Sequence, residues 1–255
     1  MRLYGLIGKN LGHSWSANYF KRKFKKENIT DAKFRMFELE DLSELMPLIQ
    51  SKPELCGFTV TAPFKQAIIP YLHSISETAQ EVGAVNVVKV KRTPSGKIRL
   101  HGGNSDYAGF EELIVQHYFE LDRPAIVLGN GGAAKAVCYV LMYCGIDYTI
   151  VSRTKTANTI SYEELTDDML RQAALIVNAT PLGSSPYINE CPDINYDCLS
   201  ERHTLIDLNY NPRITLFMQK GREKGAYAVN GYEMLVKQAE GAWEFWTSKK
   251  KTYII

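Results

Sequence analysis

The chain has 255 residues, enough for one large domain or two modest ones. Its 45% hydrophobic and 23% charged residues are ordinary for a globular protein. A net charge of +2, with Lys249-Lys250-Lys251 as a basic run in the tail, carries no signature of a nucleic-acid or membrane partner, and the apolar runs are too short to span a bilayer.

In chain order, residues 2–7 read as a strand, 16–27 as an amphipathic helix, 33–37 as a strand and 42–49 as a helix interrupted by Pro47. A strand over 55–60, a short helix over 76–82 and a strand over 84–90 follow, with a turn at 93–96 returning into a strand at 98–100. A helix over 106–117 leads into a second run. It comprises a strand at 124–128, a helix from Gly129 to about 143, and strands at 147–151, 174–177 and 204–208. Residues 185–200, with Pro186 and Pro192, read as loop. Helices over 214–224 and from Asn230 to about 246 close the chain. This alternation predicts an α/β fold with largely parallel sheets. The five cysteines form no Cys-x-x-Cys pair, and residues 1–5 enter a strand directly. Together these predict reduced thiols, a cytoplasmic protein without a signal peptide, and no metal site.

Four segments carry chemistry. Gly57-Phe58-Thr59-Val60-Thr61-Ala62-Pro63-Phe64-Lys65 reads as a buried strand ending in a rigid turn that presents an ammonium. Open α/β sheets bind ligands past the carboxyl ends of their strands, although a solvated turn lysine has the same local pattern. Val127-Leu128-Gly129-Asn130-Gly131-Gly132-Ala133 is strand, glycine turn, helix, the arrangement in which backbone N–H groups and a helix N-terminus hold a pyrophosphate. The next strand ends at Ser152-Arg153-Thr154-Lys155, where an NAD site would place an acidic residue. A guanidinium flanked by hydroxyls suits a 2′-phosphate instead, which favours NADP; a surface salt bridge is the competing role for Arg153. Near the N-terminus, Ser14 and Ser16 beside a helix start suit a carboxylate, and helix capping explains the pair equally well.

On these segments the chain resembles the shikimate dehydrogenase family, whose strand-turn reads Val-Thr-x-Pro-Phe-Lys. Further segments from Gly8 to Ala239 fall in family order. Gly83-Ala84-Val85-Asn86, Asn104-Ser105-Asp106, Asn178-Ala179-Thr180, Asp207-Leu208-Asn209-Tyr210 and Asn230-Gly231-Tyr232-Glu233-Met234-Leu235-Val236-Lys237-Gln238 are among them. The resemblance implies a two-domain fold with a cleft between the domains. It gives a substrate domain over 1–103 plus 231–255, completed by the last helix, and a Rossmann-like NADP-binding domain over 104–230. It implies substrate contacts at Ser14, Ser16, Thr61, Asn86, Tyr210 and Gln238. Cofactor contacts are implied at Gly129, Asn130, Gly131, Gly132, Ala133, Ser152, Arg153, Thr154, Lys155, Thr180, Leu208 and Gly231. Lys65 and Asp106 are implied as the catalytic pair. Departures from the family pattern fall at Asn10, Ala17, Thr59, Ser105, Tyr107 and Ser152.

The expected chemistry is reduction of a ketone, with hydride from the cofactor and a proton from the protein. An ammonium beside a carboxylate can stabilise the developing oxyanion, with Lys65 as acid and Asp106 orienting it; the reverse division stays open because paired groups titrate together. The expected substrate is the small molecule 3-dehydroshikimate, turned over by a monomer or homodimer. The alternatives are an NAD-dependent quinate/shikimate dehydrogenase and a non-catalytic ligand sensor.

Overall fold

The computed structural model describes residues 1–9, 11–12, 15–117 and 123–248. The chain divides into two compact units, Met1–Ser105 with Ala239–Ile255, and Asp106–Gln238. The sequence reading placed these breaks after residues 103 and 230; the second falls instead inside the last helix.

The first unit is built on six strands, β1 (Arg2–Gly8), β2 (Ala32–Glu38), β3 (Leu55–Val60), β4 (Ser74–Ile75), β5 (Val87–Arg92) and β6 (Ile98–Gly103). Their order is β2-β1-β3-β5-β6-β4. β1 runs parallel to β2 and β3, whereas β5 is antiparallel to both β3 and β6. The sheet is therefore mixed. The tight turn at 93–96 forces this, with Gly96 N–H donating to Thr93 O at 2.9 Å, since a hairpin can only join antiparallel strands. Several elements differ from the sequence reading here: residues Phe64–Ala67 form a one-turn helix, α3, the two-residue β4 has no counterpart in it, β5 starts at Val87 rather than at 84, and β6 runs on to Gly103.

Both faces of this sheet are covered. Leu3 and Ile7 of β1 enter one core with Phe58, Val60 and the buried side of α2 (Leu45–Ser51). Tyr4, between them in sequence, enters the other, against Phe20 and Phe24 of α1 (Trp15–Lys26) and the C-terminal part of α9 (Tyr232–Thr247). That is the two-residue alternation of a strand buried on both sides. Trp246 fixes the second core: its ring stacks on Tyr4 at 4.8 Å, and its indole N–H donates to Val88 O at 3.0 Å. Pro47 lies in the first turn of α2, after a separate 3₁₀ turn at Leu42–Glu44, so its missing N–H breaks no ladder. Helix α4 (Glu77–Val82) is capped by the Ser76 hydroxyl, which accepts from Ala79 N–H at 3.2 Å, and ends on Gly83.

The second unit has five strands, β7 (Ala125–Leu128), β8 (Tyr148–Val151), β9 (Leu175–Asn178), β10 (Thr204–Asp207) and β11 (Tyr227–Asn230). All pair in parallel, in the order β11-β10-β9-β7-β8. Every residue of β7 and β9 is buried, which explains their unbroken apolar runs. Helices α5 (Asp106–His117), α6 (Gly132–Tyr143), α7 (Asp167–Gln172) and α8 (Leu216–Glu223) connect or flank them. The sequence reading lacks both α7 and β11. α7 has six residues, too few for a period to show, and is set by its Thr166 cap. β11 has four, and only its pairing with β10 makes it a strand; the last helix accordingly begins at Tyr232. Among the described residues no helix is long and apolar enough to cross a membrane.

Candidate active site

In the second unit the strand order reverses between β7 and β9, so the ligand position of an open α/β sheet lies past the carboxyl ends of those strands. The glycine turn is there. Gly129 has φ +107°, and a Cβ on it would stand 3.0 Å from Ala179 O and 3.2 Å from Thr180 Cγ2. Only glycine allows the turn after β7 to lie so close to the turn after β9. Gly131 is the N-cap of the twelve-residue α6, whose first turn carries no acidic residue. Nothing lies within 4 Å of where a Gly131 Cβ would be. The exposed Asn130 and Gly131 and the first-turn amides of Gly132 and Ala133 thus form an open, N–H-rich cradle that fits a pyrophosphate.

Past β8, Arg153, Thr154 and Lys155 are exposed. Lys155 is ion-paired with Glu164. Ser152 is buried, and its hydroxyl donates to Thr154 O at 2.5 Å. The sequence reading made Ser152 a phosphate donor; in the structure its one proton shapes the turn that presents Arg153 and Thr154.

Beyond β9 and β10 the structure reveals a network to which the sequence reading gave no role. Asp207, fully buried at the end of β10, accepts from Asn178 Nδ2 (3.1 Å), Asn209 N–H (3.0 Å), Asn209 Nδ2 (2.9 Å) and Thr215 Oγ1 (2.5 Å). Asn178 Oδ1 in turn accepts from Thr180 N–H at 3.0 Å and Thr180 Oγ1 at 2.6 Å. The signal in the sequence was the repeated spacing of Asn178 to Thr180 and Asp207 to Asn209, each an Asx side chain that can bond the backbone two residues on. Burial pushes the Asp207 carboxyl up to about 6, against the pull of the donors that surround it. Leu208 and Gly231 are brought together, for a Cβ on Gly231 would stand 2.3 Å from Leu208 O. Tyr210 is half-buried and burial raises its phenol above the ordinary value. Asp106 is fully buried in the first turn of α5, and Gln238 is half-buried on α9. Tyr107, where the family often has glycine, packs edge-on against Tyr139 of α6 at 5.8 Å.

In the first unit, Thr61 N–H donates to Ile7 O at 2.9 Å, carrying the chain past the end of β3. The Ala62–Pro63 peptide is cis, and Phe64, the first residue of α3, is buried in the first core. Lys65 O accepts from Val85 N–H at 2.7 Å, which ties the one-turn helix to the segment before β5 and leaves Lys65 half-buried. Asn86 and Ser105, both buried, interlock: Ser105 N–H donates to Asn86 Oδ1 at 2.7 Å and Asn86 Nδ2 to Ser105 Oγ at 3.1 Å. The hydroxyl retained at Ser105 is thus a partner of Asn86. Thr59 donates its hydroxyl to Gly5 O at 3.3 Å, so its departure from the family pattern is used within the sheet. Ser16 is half-buried in the first turn of α1, and Ser14 lies outside the described residues. Among the described residues no cluster of three or more His, Cys, Asp or Glu side chains could hold a metal.

Comparison with known proteins bears on both units. A family model described as the shikimate dehydrogenase substrate binding domain matches residues 6–88. The shikimate dehydrogenase (NADP(+)) of Clostridium beijerinckii is 36% identical over 259 residues, covering 96% of this chain and 92% of that protein. The crystal structure of shikimate dehydrogenase 1 from Peptoclostridium difficile superposes with a TM-score of 0.84 at 32% identity, covering 98% of this chain and 93% of that one. That of the Thermus thermophilus shikimate 5-dehydrogenase in complex with NADP(H) and shikimate has a TM-score of 0.83 at 27% identity, covering 97% and 94%.

Proposed function

The chain belongs to the shikimate dehydrogenase family, and from that premise we propose that it catalyses the NADP-dependent, reversible reduction of 3-dehydroshikimate to shikimate on the route to chorismate and the aromatic amino acids. The observation that carries this reading is likeness to NADP(+)-named relatives along 96% of the chain, with Lys65 and Asp106 both present. In this reading the first unit holds the substrate and the second holds NADP. The protein acts in the cytoplasm as a monomer or homodimer, on a small molecule and not on nucleic acid or a membrane.

The Gly129–Ala133 cradle would take the pyrophosphate, and Arg153 with Thr154 the 2′-phosphate. Thr180, Leu208 and Gly231 would hold the nicotinamide half. Bound NADPH supplies the hydride for ketone reduction. Ser16, with Ser14, would donate hydroxyls to the substrate carboxylate, while Thr61, Asn86, Tyr210 and Gln238 would orient the ring through its hydroxyls. Lys65 gives a proton to the carbonyl oxygen in reduction and recovers it in oxidation, and Asp106 orients its ammonium. The charge on Lys65 also stabilises the alkoxide as it develops, so no metal is needed in this scheme.

The test is initial-rate absorbance of the reduced nicotinamide with shikimate or quinate, each with NADP or NAD. Turnover with shikimate and NADP is expected, reduced by roughly 10²–10⁴-fold in Lys65→Ala. A preference for quinate or NAD would refute the assignment, as would binding of both ligands without turnover.

A further inference from the structure

We infer that Asp207 is a positioning residue for the nicotinamide end of the cofactor, holding the two loops that carry Thr180, Leu208 and Tyr210 in one arrangement; the inference rests on the function proposed above. It starts from a buried charge. A carboxylate without solvent is retained only where donors surround it. Asp207 has four such bonds, from three side chains and one backbone N–H. The donors come from three residues: Asn178 at the end of β9, Asn209 just past β10, and Thr215 before α8. Asn178 ends β9 and holds Thr180 by both its N–H and its hydroxyl. Asn178 Nδ2 also donates to Leu182 O at 3.0 Å. Asn209, one residue past Leu208 and one before Tyr210, returns its amide to Thr180 O (3.1 Å) and Leu182 O (3.0 Å). Thr215 caps α8 through Met218 N–H at 3.3 Å while donating to the same carboxylate. The turn after β9 and the turn after β10 are therefore cross-linked both directly, by the Asn209 amide, and through the Asp207 carboxylate.

The chemistry of the network is specific to a carboxylate. All four groups facing it are donors, and a carboxylate is the one side chain of this size that only accepts. In Asp207→Asn the NH₂ group takes the place of the oxygen that faces Thr215, whose hydroxyl must then turn from donor to acceptor, and the negative charge that holds the Asn178 and Asn209 donors is removed, so the hold on the two turns is weakened. The glycine cradle after β7 and the Ser152–Lys155 turn after β8 take no bond from Asp207. The effect should accordingly fall on the nicotinamide half and spare the adenosine half.

The measurement is titration calorimetry of the full chain and Asp207→Asn with two probes, NADP and adenosine 2′,5′-bisphosphate, which lacks the nicotinamide. The expected result is NADP binding weakened about tenfold, with the bisphosphate changed less than about twofold. If both probes weaken together, or neither does, the inference is overturned. If Asp207→Asn does not fold, Asn209→Ala removes one of the four bonds, that from Nδ2, together with the links to Thr180 and Leu182, and keeps the backbone N–H bond. It should show the same asymmetry, and a symmetric loss there would equally refute the positioning role. The comparison needs binding alone, so it stands apart from any failure of the assigned reaction.

Discussion

His101 should make the first unit lose stability in mild acid. The side chain is 9% exposed in β6, its Nδ1 lies 2.7 Å from Ser74 Oγ, and burial lowers its pKa to about 4. Lys91, His73, Arg99 and Lys89 add to the shift in the same direction. In the unfolded chain the same imidazole titrates near about 6.5. Between those values the unfolded state binds more protons, so stability is full above the unfolded pKa and is lost as pH falls toward the folded one. Integrated over that window, the loss is about 2 kcal/mol by pH 5 and about 3 by pH 4. The assay is urea unfolding followed by tryptophan fluorescence at a series of pH values. Trp15, Trp243 and Trp246 all belong to the first unit, so the signal reports the unit that contains His101. In His101→Gln the fall in unfolding free energy between pH 8 and pH 5 should shrink by about 2 kcal/mol, the remaining histidines being common to both proteins. A variant whose pH dependence matches wild type would refute the reasoning, because it would mean that His101 protonates as readily folded as unfolded.

Three further outcomes are expected. Arg153→Ala should raise KM for NADP by about 10–100-fold, on the scale of lost charge-assisted hydrogen bonds, and leave KM for NAD nearly unchanged; equal effects on both cofactors would assign Arg153 to the fold. Gly231→Ala forces a Cβ to within 2.3 Å of Leu208 O and should cost about 1–3 kcal/mol in thermal or urea unfolding, together with weaker NADP binding. Trp246→Phe removes the indole donor to Val88 O while keeping a stacked ring on Tyr4, and a loss of about 1–3 kcal/mol in the tryptophan-monitored transition is expected.

The alternation of strands and helices was legible in the sequence because buried parallel strands read as short apolar runs and α1 keeps a helical period on one face. The dinucleotide turn was legible for the same local reason: Gly129, Gly131 and the helix after them are contiguous. Some short elements were not, although β7, β8, β9 and β10, of four residues each, were. Strand β11 exists through its pairing with β10, and α7 through its cap, and neither leaves a period long enough to see. The mixed direction of the first sheet followed from the tight turn between β5 and β6, already visible at Thr93-Pro94-Ser95-Gly96, but the pairing of β5 with β3 was not.

The candidate residues divide in the same way. Lys65, Asp106, Arg153 and the glycine cradle could be picked out from motifs, because each belongs to a short segment whose chemistry is local. Their partners could not. Asn86 meets Ser105 nineteen residues away, and Asn178 meets Asp207 twenty-nine residues away. The hydroxyl of Ser152 turns inward rather than outward. Gly231 proves necessary because Leu208 occupies the place of its side chain. Residue type and spacing determined which groups could react, cap or bind, since those are properties of a few consecutive residues. Which donor meets which acceptor was decided only when the folded sheets brought distant segments within hydrogen-bonding distance, because a buried polar group must be satisfied by whatever the fold places beside it.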